Sequence, residues 1–313
     1  MLARLERDPA ARLTVAEASR FHRLYQCACA DLARVSGGSY EEEVRRYLES
    51  LAARGYAEMH SRRPASGRWT PARWLRSGFP RAFRRRIRAF LLACAVLAGG
   101  SLLGTAAVLL HPDAKTHLMP EWPHLRMDPS ERVAREERGD TDRLAGIKAR
   151  GAVAYFTHNT RVSLLVAASG ITWGLITLLL LFQNGVLLGA VAADYVVAGE
   201  GVFLAAWLLP HGSVEIPALL LAGQAGLVLG GALIGWGGRL TLRARLRAAR
   251  ADVVTLIVGA VLLLAWAGFI EAYLSQYHDP ILPAGLKIGL GLVQLGMLGL
   301  YLWRAGREGA SDA

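Results

Sequence analysis

The sequence lacks positive charge over the most apolar part of the chain. The 77 residues from Val162 to Gly238 contain no lysine or arginine and only three carboxylates, Asp194, Glu200 and Glu215. A water-soluble domain carries interspersed charge on its surface, so this segment excludes an ordinary soluble fold. Its length and composition are typical of several membrane-spanning helices that follow one another in the chain.

Cysteine and the common catalytic motifs are also scarce or absent. The chain has three cysteines, and Cys27 and Cys29 would point to different faces of a helix, which disfavours a disulfide between them. No HExxH, CxxC, GxSxG, GxGxxG or Walker A motif occurs. We therefore expect reduced thiols, no bound metal and no cofactor.

Positive charge is concentrated beside the apolar segments. Of the 36 lysine and arginine residues, 19 precede Ala89 and five lie between Arg239 and Arg250; the formal net charge is +11. Basic residues beside apolar spans indicate the cytoplasmic side of a membrane and contact with anionic headgroups. We therefore expect membrane lipids as partners of these residues, and not nucleic acid.

The apolar segments predict an all-α, polytopic membrane protein with about six transmembrane helices, short or broken in the middle. The predicted spans are Ala89–Leu110, Val162–Phe182, Val186–Leu208, Val214–Gly238, Val253–Tyr273 and Ala284–Trp303. Because the basic flanks should be cytoplasmic, the chain must cross an odd number of times between Val162 and Gly238, which leaves both termini in the cytoplasm. Gly199 and Glu200 interrupt the third span, so a re-entrant pair of half-helices is an alternative there.

Three regions follow from this pattern. Residues 1–67 predict a cytoplasmic helical hairpin, because capping patterns that start at Thr14 and Ser39 each precede an apolar stripe. Residues 68–88 mix arginine with aromatic residues, as interfacial segments do. Residues 89–313 form the transmembrane domain, with a neutral extracytoplasmic loop at 111–150. Glycines at four-residue spacing predict close helix packing, within the bundle or across a homodimer: Gly100 and Gly104, Gly226 and Gly230, Gly231 and Gly235, and Gly285 and Gly289.

Polar residues within the apolar half are the candidate functional residues. The predicted spans place Asn159, His211, Glu215 and Glu271 at the extracytoplasmic ends of neighbouring helices, where they would form one polar cluster. Asn184 and Gly185 are predicted as a turn on the cytoplasmic side. Each residue also has a structural interpretation: Ser213, for example, is a good N-cap, which would put Glu215 in a first helical turn.

Several of these elements resemble the stage II sporulation protein M family of bacterial integral membrane proteins. The residues that carry the resemblance are Tyr155–Val162, Gln183–Gly185 with Gly189, Pro210–Gly212 with Glu215, Gly223 with Gly226 and Gly230, and Ile270–Glu271. The resemblance extends from about Arg68 to the C-terminus. His158 replaces the first of two asparagines that the family tends to have, and Ala272-Tyr273 departs from its usual pattern.

The resemblance implies a protein of the bacterial cytoplasmic membrane with other membrane or envelope proteins as partners. In spore formers, the family's founding member works in a membrane complex with enzymes that remodel peptidoglycan. Our leading hypothesis is a non-enzymatic scaffold of a cell-envelope complex. The alternatives are a transporter or flippase-like permease with a polar site near the extracytoplasmic leaflet and, third, an intramembrane metal-dependent hydrolase.

Overall fold

The computed structural model describes residues 13–36, 42–60, 70–118, 127–138, 145–235, 240–271 and 282–307, together with residues 2, 5 and 274. The regular elements within these ranges are all helical, and the chain divides into two compact units, residues 1–70 and 71–313. Five of the described helices are long and apolar enough to cross a membrane. The predicted all-α, polytopic membrane fold is confirmed.

The first unit contains two helices, α1 (Val15–Ser36) and α2 (Glu42–His60). The predicted capping box at the start of α1 is present: the Thr14 N–H donates to the Glu17 carboxylate at 2.9 Å, and the Glu17 N–H donates to the Thr14 hydroxyl at 3.3 Å. The two helices touch where Gly55 lies against the ring of Tyr25. The second predicted cap, at Ser39, lies outside the described residues.

The second unit begins with a helix that lies before the first span. This helix comprises α3 (Pro71–Arg73), a π-helical turn (Trp74–Gly78) and α4 (Phe79–Arg85). The first span and the following segment form α5 (Ile87–Leu110), α6 (Ala114–Leu118), α7 (Pro129–Arg138) and α8 (Ala145–Ala168). After a 3₁₀ turn (Ser169–Thr172) come α9 (Leu175–Val197), α10 (Gly201–Ile234), α11 (Leu242–Ile270) and α12 (Ala284–Arg304).

The predicted bounds of the second, third and fourth spans are wrong. The second span is broken at Trp173 and Gly174, which adopt left-handed backbone conformations with φ of 54° and 82° and start α9. The third is broken at Gly199, also left-handed, so the interruption expected from the sequence is a turn between two helices. The fourth begins at Gly201, because α10 continues through Pro210.

As a result, five helices among the described residues qualify as spans, where the sequence predicted about six. The passage that does not qualify is α8, whose first half carries Lys148 and Arg150. The predicted third span is thus interrupted at Gly199, but the helices on either side, α9 and α10, are each long and apolar enough to cross a membrane and are not half-helices.

Four glycines bring α5 and α9 into backbone contact. A Cβ at Gly100 or Gly104 would overlap the carbonyl oxygens of Phe182 and Val186, and one at Gly185 or Gly189 would overlap those of Leu97 and Ser101. Because the contact positions advance together along both helices, α5 and α9 run parallel. This is the close packing that the spacing of Gly100 and Gly104 predicts.

Of the other glycine pairs predicted to pack closely, only some make contacts between helices. Gly223, Gly226 and Gly230 lie against Leu181, Thr177 and Gly174 in that order, so α10 runs antiparallel to α9. Gly235 ends α10 with φ of 72°. Gly231, Gly285 and Gly289 have no heavy atom within 4 Å of an added Cβ, apart from their own helix neighbours, in the part of the chain that the structure describes. The homodimer therefore stays a prediction.

At one end of the second unit, basic side chains connect separate helices through hydrogen bonds and ion pairs. Arg84 donates to the carbonyl oxygens of Leu302 and Ala305 at 2.6 and 2.7 Å, which ties the segment before α5 to the end of α12. At the same end, the buried Asp252 pairs with Arg85 at 2.6 Å and with Arg86 at 2.7 Å. The start of α5 and the end of α12 therefore lie on the same side of the helical bundle.

We expect Gly100→Ala to destabilise the protein by about 1–3 kcal/mol, because the new methyl group meets the backbone of α9 and forces the helices apart. The neighbouring Gly99→Ala is the matched control, since its Cβ has nothing within 4 Å beyond its own helix. It should keep or raise the midpoint of thermal unfolding in detergent micelles, because alanine favours helix over glycine. Equal midpoints for both variants would contradict the proposed role of this contact.

Candidate functional site

A cavity of about 210 Å³ lies among α5, α8, α9, α10 and the end of α11. The four residues of the predicted polar cluster, Asn159, His211, Glu215 and Glu271, all line it. The structure thus brings together side chains from three helices that are far apart in the sequence. Leucine, valine and isoleucine side chains and Trp207 form most of the remaining wall.

The two carboxylates are neighbours in this cavity. The side chain of Asn159, on α8, lies close enough to the Glu215 carboxyl group, on α10, to interact with it. Glu271 follows the last residue of α11, is 9% exposed and lies close enough to Glu215 for their charges to interact. Two carboxyl groups that share a site cannot both be ionised without repulsion, so the site favours a bound cation or shared protons.

His211 lies inside α10 and not at a boundary between spans. It is the eleventh residue of the helix, about 15 Å along its axis from the first residue, Gly201. Its ring is 5% exposed and meets the ring of Trp207 edge-on, with centroids 5.7 Å apart. The predicted N-cap at Ser213 is wrong for the same reason: its hydroxyl donates to the Pro210 carbonyl within the helix, at 3.4 Å.

Asn184 and Gly185 do not form the predicted cytoplasmic turn. Both lie in the interior of α9, where the Asn184 amide donates to the Leu180 carbonyl at 2.8 Å. An Asn-Gly pair favours a turn in isolation, but here Gly185 is needed for the contact with α5. Asn184 instead lines the cavity with the four cluster residues.

Three polar residues of the site region were missed by reading the sequence. Ser163 lines the cavity and is buried. Lys287, on α12, is 2% exposed and lies near enough to His211 for their charges to interact. The Gln294 amide donates to the Pro210 carbonyl at 3.1 Å. The sequence does carry a signal for Lys287, because a single lysine within the last apolar segment is unusual.

The segment before α8 covers Trp207 on one side. Arg132 of α7 is 8% exposed; its guanidinium lies 4.9 Å from the centre of the Trp207 ring and donates to the Tyr195 hydroxyl at 2.8 Å. Lys115 and Asp194 form an ion pair at 3.2 Å nearby. Within the segment that the sequence predicts as a neutral extracytoplasmic loop, Arg132 is therefore packed against the helices.

Within the described residues, no group of three or more His, Cys, Asp or Glu side chains could hold a metal ion. The hypothesis of a metal-dependent hydrolase therefore gains no support from this part of the chain. The donors and acceptors that are present suit hydrogen bonding and charge pairing with a small polar group.

Comparison with known families supports the resemblance seen in the sequence. A family model described as stage II sporulation protein M matches residues 89–276, which include every residue that lines the cavity. A second model, described as a domain of unknown function (DUF8413), matches residues 1–61. Neither a curated protein nor a solved structure matches the chain. Ala272 and Tyr273, where the sequence departs from the family pattern, lie outside the described residues.

If Arg132 holds α7 over Trp207, Arg132→Ala should make the cavity more accessible. We expect a cysteine placed at Ser163, in a background without the three native cysteines, to react about 30-fold faster with a small thiol reagent in micelles. The reason is the loss of a cation–π contact and a hydrogen bond, each worth about 1 kcal/mol. The exposed neighbour Glu131 provides the control, Glu131→Ala. Equal rates in both variants would show that Arg132 does not cover the cavity.

Proposed function

The chain belongs to the stage II sporulation protein M family of membrane proteins, and from this membership and the cavity we propose that it acts as a permease-like protein. In this proposal the cavity binds a small polar group during its passage through the membrane. The observation that carries it is the convergence of Asn159, His211, Glu215 and Glu271 on one cavity.

The free-energy cost of burying these polar side chains supports the proposal. A carboxylate or imidazole within an apolar helical bundle costs several kcal/mol unless it is compensated, so such groups usually mark a substrate or ion pathway. A protein that only holds partners together could use its lipid-facing or aqueous surfaces, without polar groups that face inward. The scaffold hypothesis alone does not account for where these residues lie.

The lining also suggests the chemistry of the ligand. Glu215 and Glu271 supply negative charge, Asn159 and Asn184 supply amide groups, and Trp207 is an aromatic wall. This set suits an ammonium-type cation, with carboxylates around its charge and apolar side chains around its body. The volume of about 210 Å³ limits the bound group to a small one.

Transport in proteoliposomes tests this proposal, with methylammonium, sodium and potassium as the cations supplied. We expect uptake of at least one cation above that of protein-free vesicles, and an uptake rate at least tenfold lower for Glu215→Gln, because the variant removes the charge that pairs with the cation. The matched control is Glu200→Gln, which removes a carboxylate from the turn before α10. No uptake above protein-free vesicles, or equal loss in both variants, would contradict the permease proposal.

A scaffold role is the second candidate, favoured by the first unit. Residues 1–61 match a family model of their own, and their helices expose apolar side chains, among them Leu24, Tyr47 and Tyr56 at 53, 65 and 54%. We propose that these exposed apolar side chains contact another membrane or envelope protein. If scaffolding is the whole function, replacing Glu215 should lower assembly or stability and leave cation flux unchanged.

We also propose that the protein resides in the bacterial cytoplasmic membrane with both termini in the cytoplasm. The Arg84 contacts place the start of α5 and the end of α12 at one end of the bundle, and arginines of the segment before α5 lie there too. Arginine-rich ends stay on the cytoplasmic side during insertion.

Single cysteines test this topology in a background without the native cysteines. Thr116 and Arg307 are both exposed, and they lie before α7 and after α12. In intact cells, Thr116→Cys should react with a membrane-impermeant thiol reagent, whereas Arg307→Cys should react only after the membrane is permeabilised. The reverse pattern would overturn the orientation.

A further inference from the structure

A second cavity, of about 950 Å³, lies where α3 and α4 meet the end of α12. Four arginines line it, Arg73, Arg76, Arg81 and Arg304, together with polar Ser77 and Tyr301, and no carboxylate does so among the described residues. We call it the basic cavity. It lies at the same end of the bundle as the Arg84 contacts described above.

The walls of the basic cavity are fixed by hydrogen bonds between distant parts of the chain. Arg81 donates to the Gly306 carbonyl at 2.9 Å, and the Tyr301 hydroxyl donates to the Leu75 carbonyl. Arg84 binds the last carbonyls of α12, where the helix dipole is negative and favours a cation. These contacts hold α4 and the turn before it against α12, and the cavity lies beside them.

Positive charge accumulates beside these contacts. Burial lowers the pKa of Arg84, and the positive charges of Arg307 and Arg81 lower it further. An arginine whose charged form is disfavoured by its neighbours marks a region of positive potential, which attracts anions. Phosphate suits such a region, because the planar fork of arginine donors matches two phosphate oxygens.

The basic cavity is also amphipathic. Met297 and Leu300 line it on the side towards the interior of α12, and they are 66 and 49% exposed. They lie one to two turns before Arg304, so apolar and basic surfaces adjoin at the end of a candidate span. A ligand with an anionic head and an apolar body matches both surfaces.

From this arrangement we propose that the basic cavity binds the phosphate-bearing headgroup of an anionic phospholipid, whose acyl chains lie along Met297 and Leu300. Basic pockets beside transmembrane helices are a known form of lipid recognition. Inorganic phosphate is also an anion and could accept hydrogen bonds from the same arginines. It has no apolar part, however, that would contact Met297 and Leu300. The proposal stands apart from the permease function, since it concerns a different cavity.

Native mass spectrometry of the delipidated protein in micelles tests the proposal, with cardiolipin, phosphatidylglycerol, phosphatidylethanolamine or inorganic phosphate added in separate samples. We expect one or both anionic lipids to bind in a saturable way and to raise the midpoint of thermal unfolding, and the zwitterionic lipid to do neither. Arg76→Gln with Arg304→Gln should weaken the binding of the anionic lipid at least tenfold, because the variant removes two of the four positive charges that line the basic cavity.

The matched control removes the same charge elsewhere. Arg243 and Arg247 line a smaller basic groove of about 380 Å³ on α11, and Arg243→Gln with Arg247→Gln should leave binding at the basic cavity unchanged. Ala72→Trp adds bulk at the basic cavity without a change of charge and should weaken binding as well. Equal loss in the control would overturn the proposal, as would stabilisation by inorganic phosphate with no effect of lipid.

Discussion

Helices α5 and α9 touch backbone to backbone, and the arrangement of the transmembrane unit depends on that contact. Gly100, Gly104, Gly185 and Gly189 leave no room for a methyl group, so the two helices are held parallel and in one register. Parallel neighbours need a connection that returns across the bundle, and α8 with its 3₁₀ turn provides it. That return places Asn159 beside Glu215 on α10. The cavity thus depends on the contact between α5 and α9. Apart from Leu97, the residues of that contact do not line the cavity.

Most charged side chains of the described bundle lie at its two ends, because the apolar interior of a bilayer disfavours charge. Arginines gather at one end, where Asp252 and the last carbonyls of α12 accept their hydrogen bonds. Arg132 and Lys115 meet polar partners beside Tyr195 and Asp194, near the C-terminal end of α9. Among the described residues, most polar groups of the interior line the first cavity, lie beside it or hydrogen-bond to helix carbonyls. Two buried atoms are exceptions among the described residues: the Thr160 hydroxyl and the side-chain oxygen of Gln224 have no hydrogen-bond partner and carry the cost of burial.

The sequence was sufficient for the class of protein, the approximate positions of the first and last two spans, the Gly100–Gly104 contact and the membership of the polar cluster. It failed where a local signal competed with helix packing. Asn184-Gly185 and Pro210–Ser213 are good boundaries in isolation, yet both lie inside helices, because burial of the whole apolar segment outweighs a single unfavourable residue. The break at Trp173 and Gly174 carries no proline, and its two glycines, Gly170 and Gly174, have the four-residue spacing also found inside the helices, so its sequence signal is weak. Arg132 was missed because its partners, Tyr195 and Trp207, are more than 60 residues away along the chain.

Two prolines give the longest helix of the protein an uneven stiffness. Pro210 and Pro217 have no N–H to donate, so the carbonyls of Ala206 and Ser213 lose their usual partners one turn earlier, and α10 is held there by fewer of its own hydrogen bonds. His211 and Glu215 lie between these two points. A bend of α10 at either point would therefore move the lining of the cavity at little cost in hydrogen bonding, while the glycine contact keeps α5 and α9 in place. The mechanical compliance of the bundle is thus concentrated beside its polar side chains.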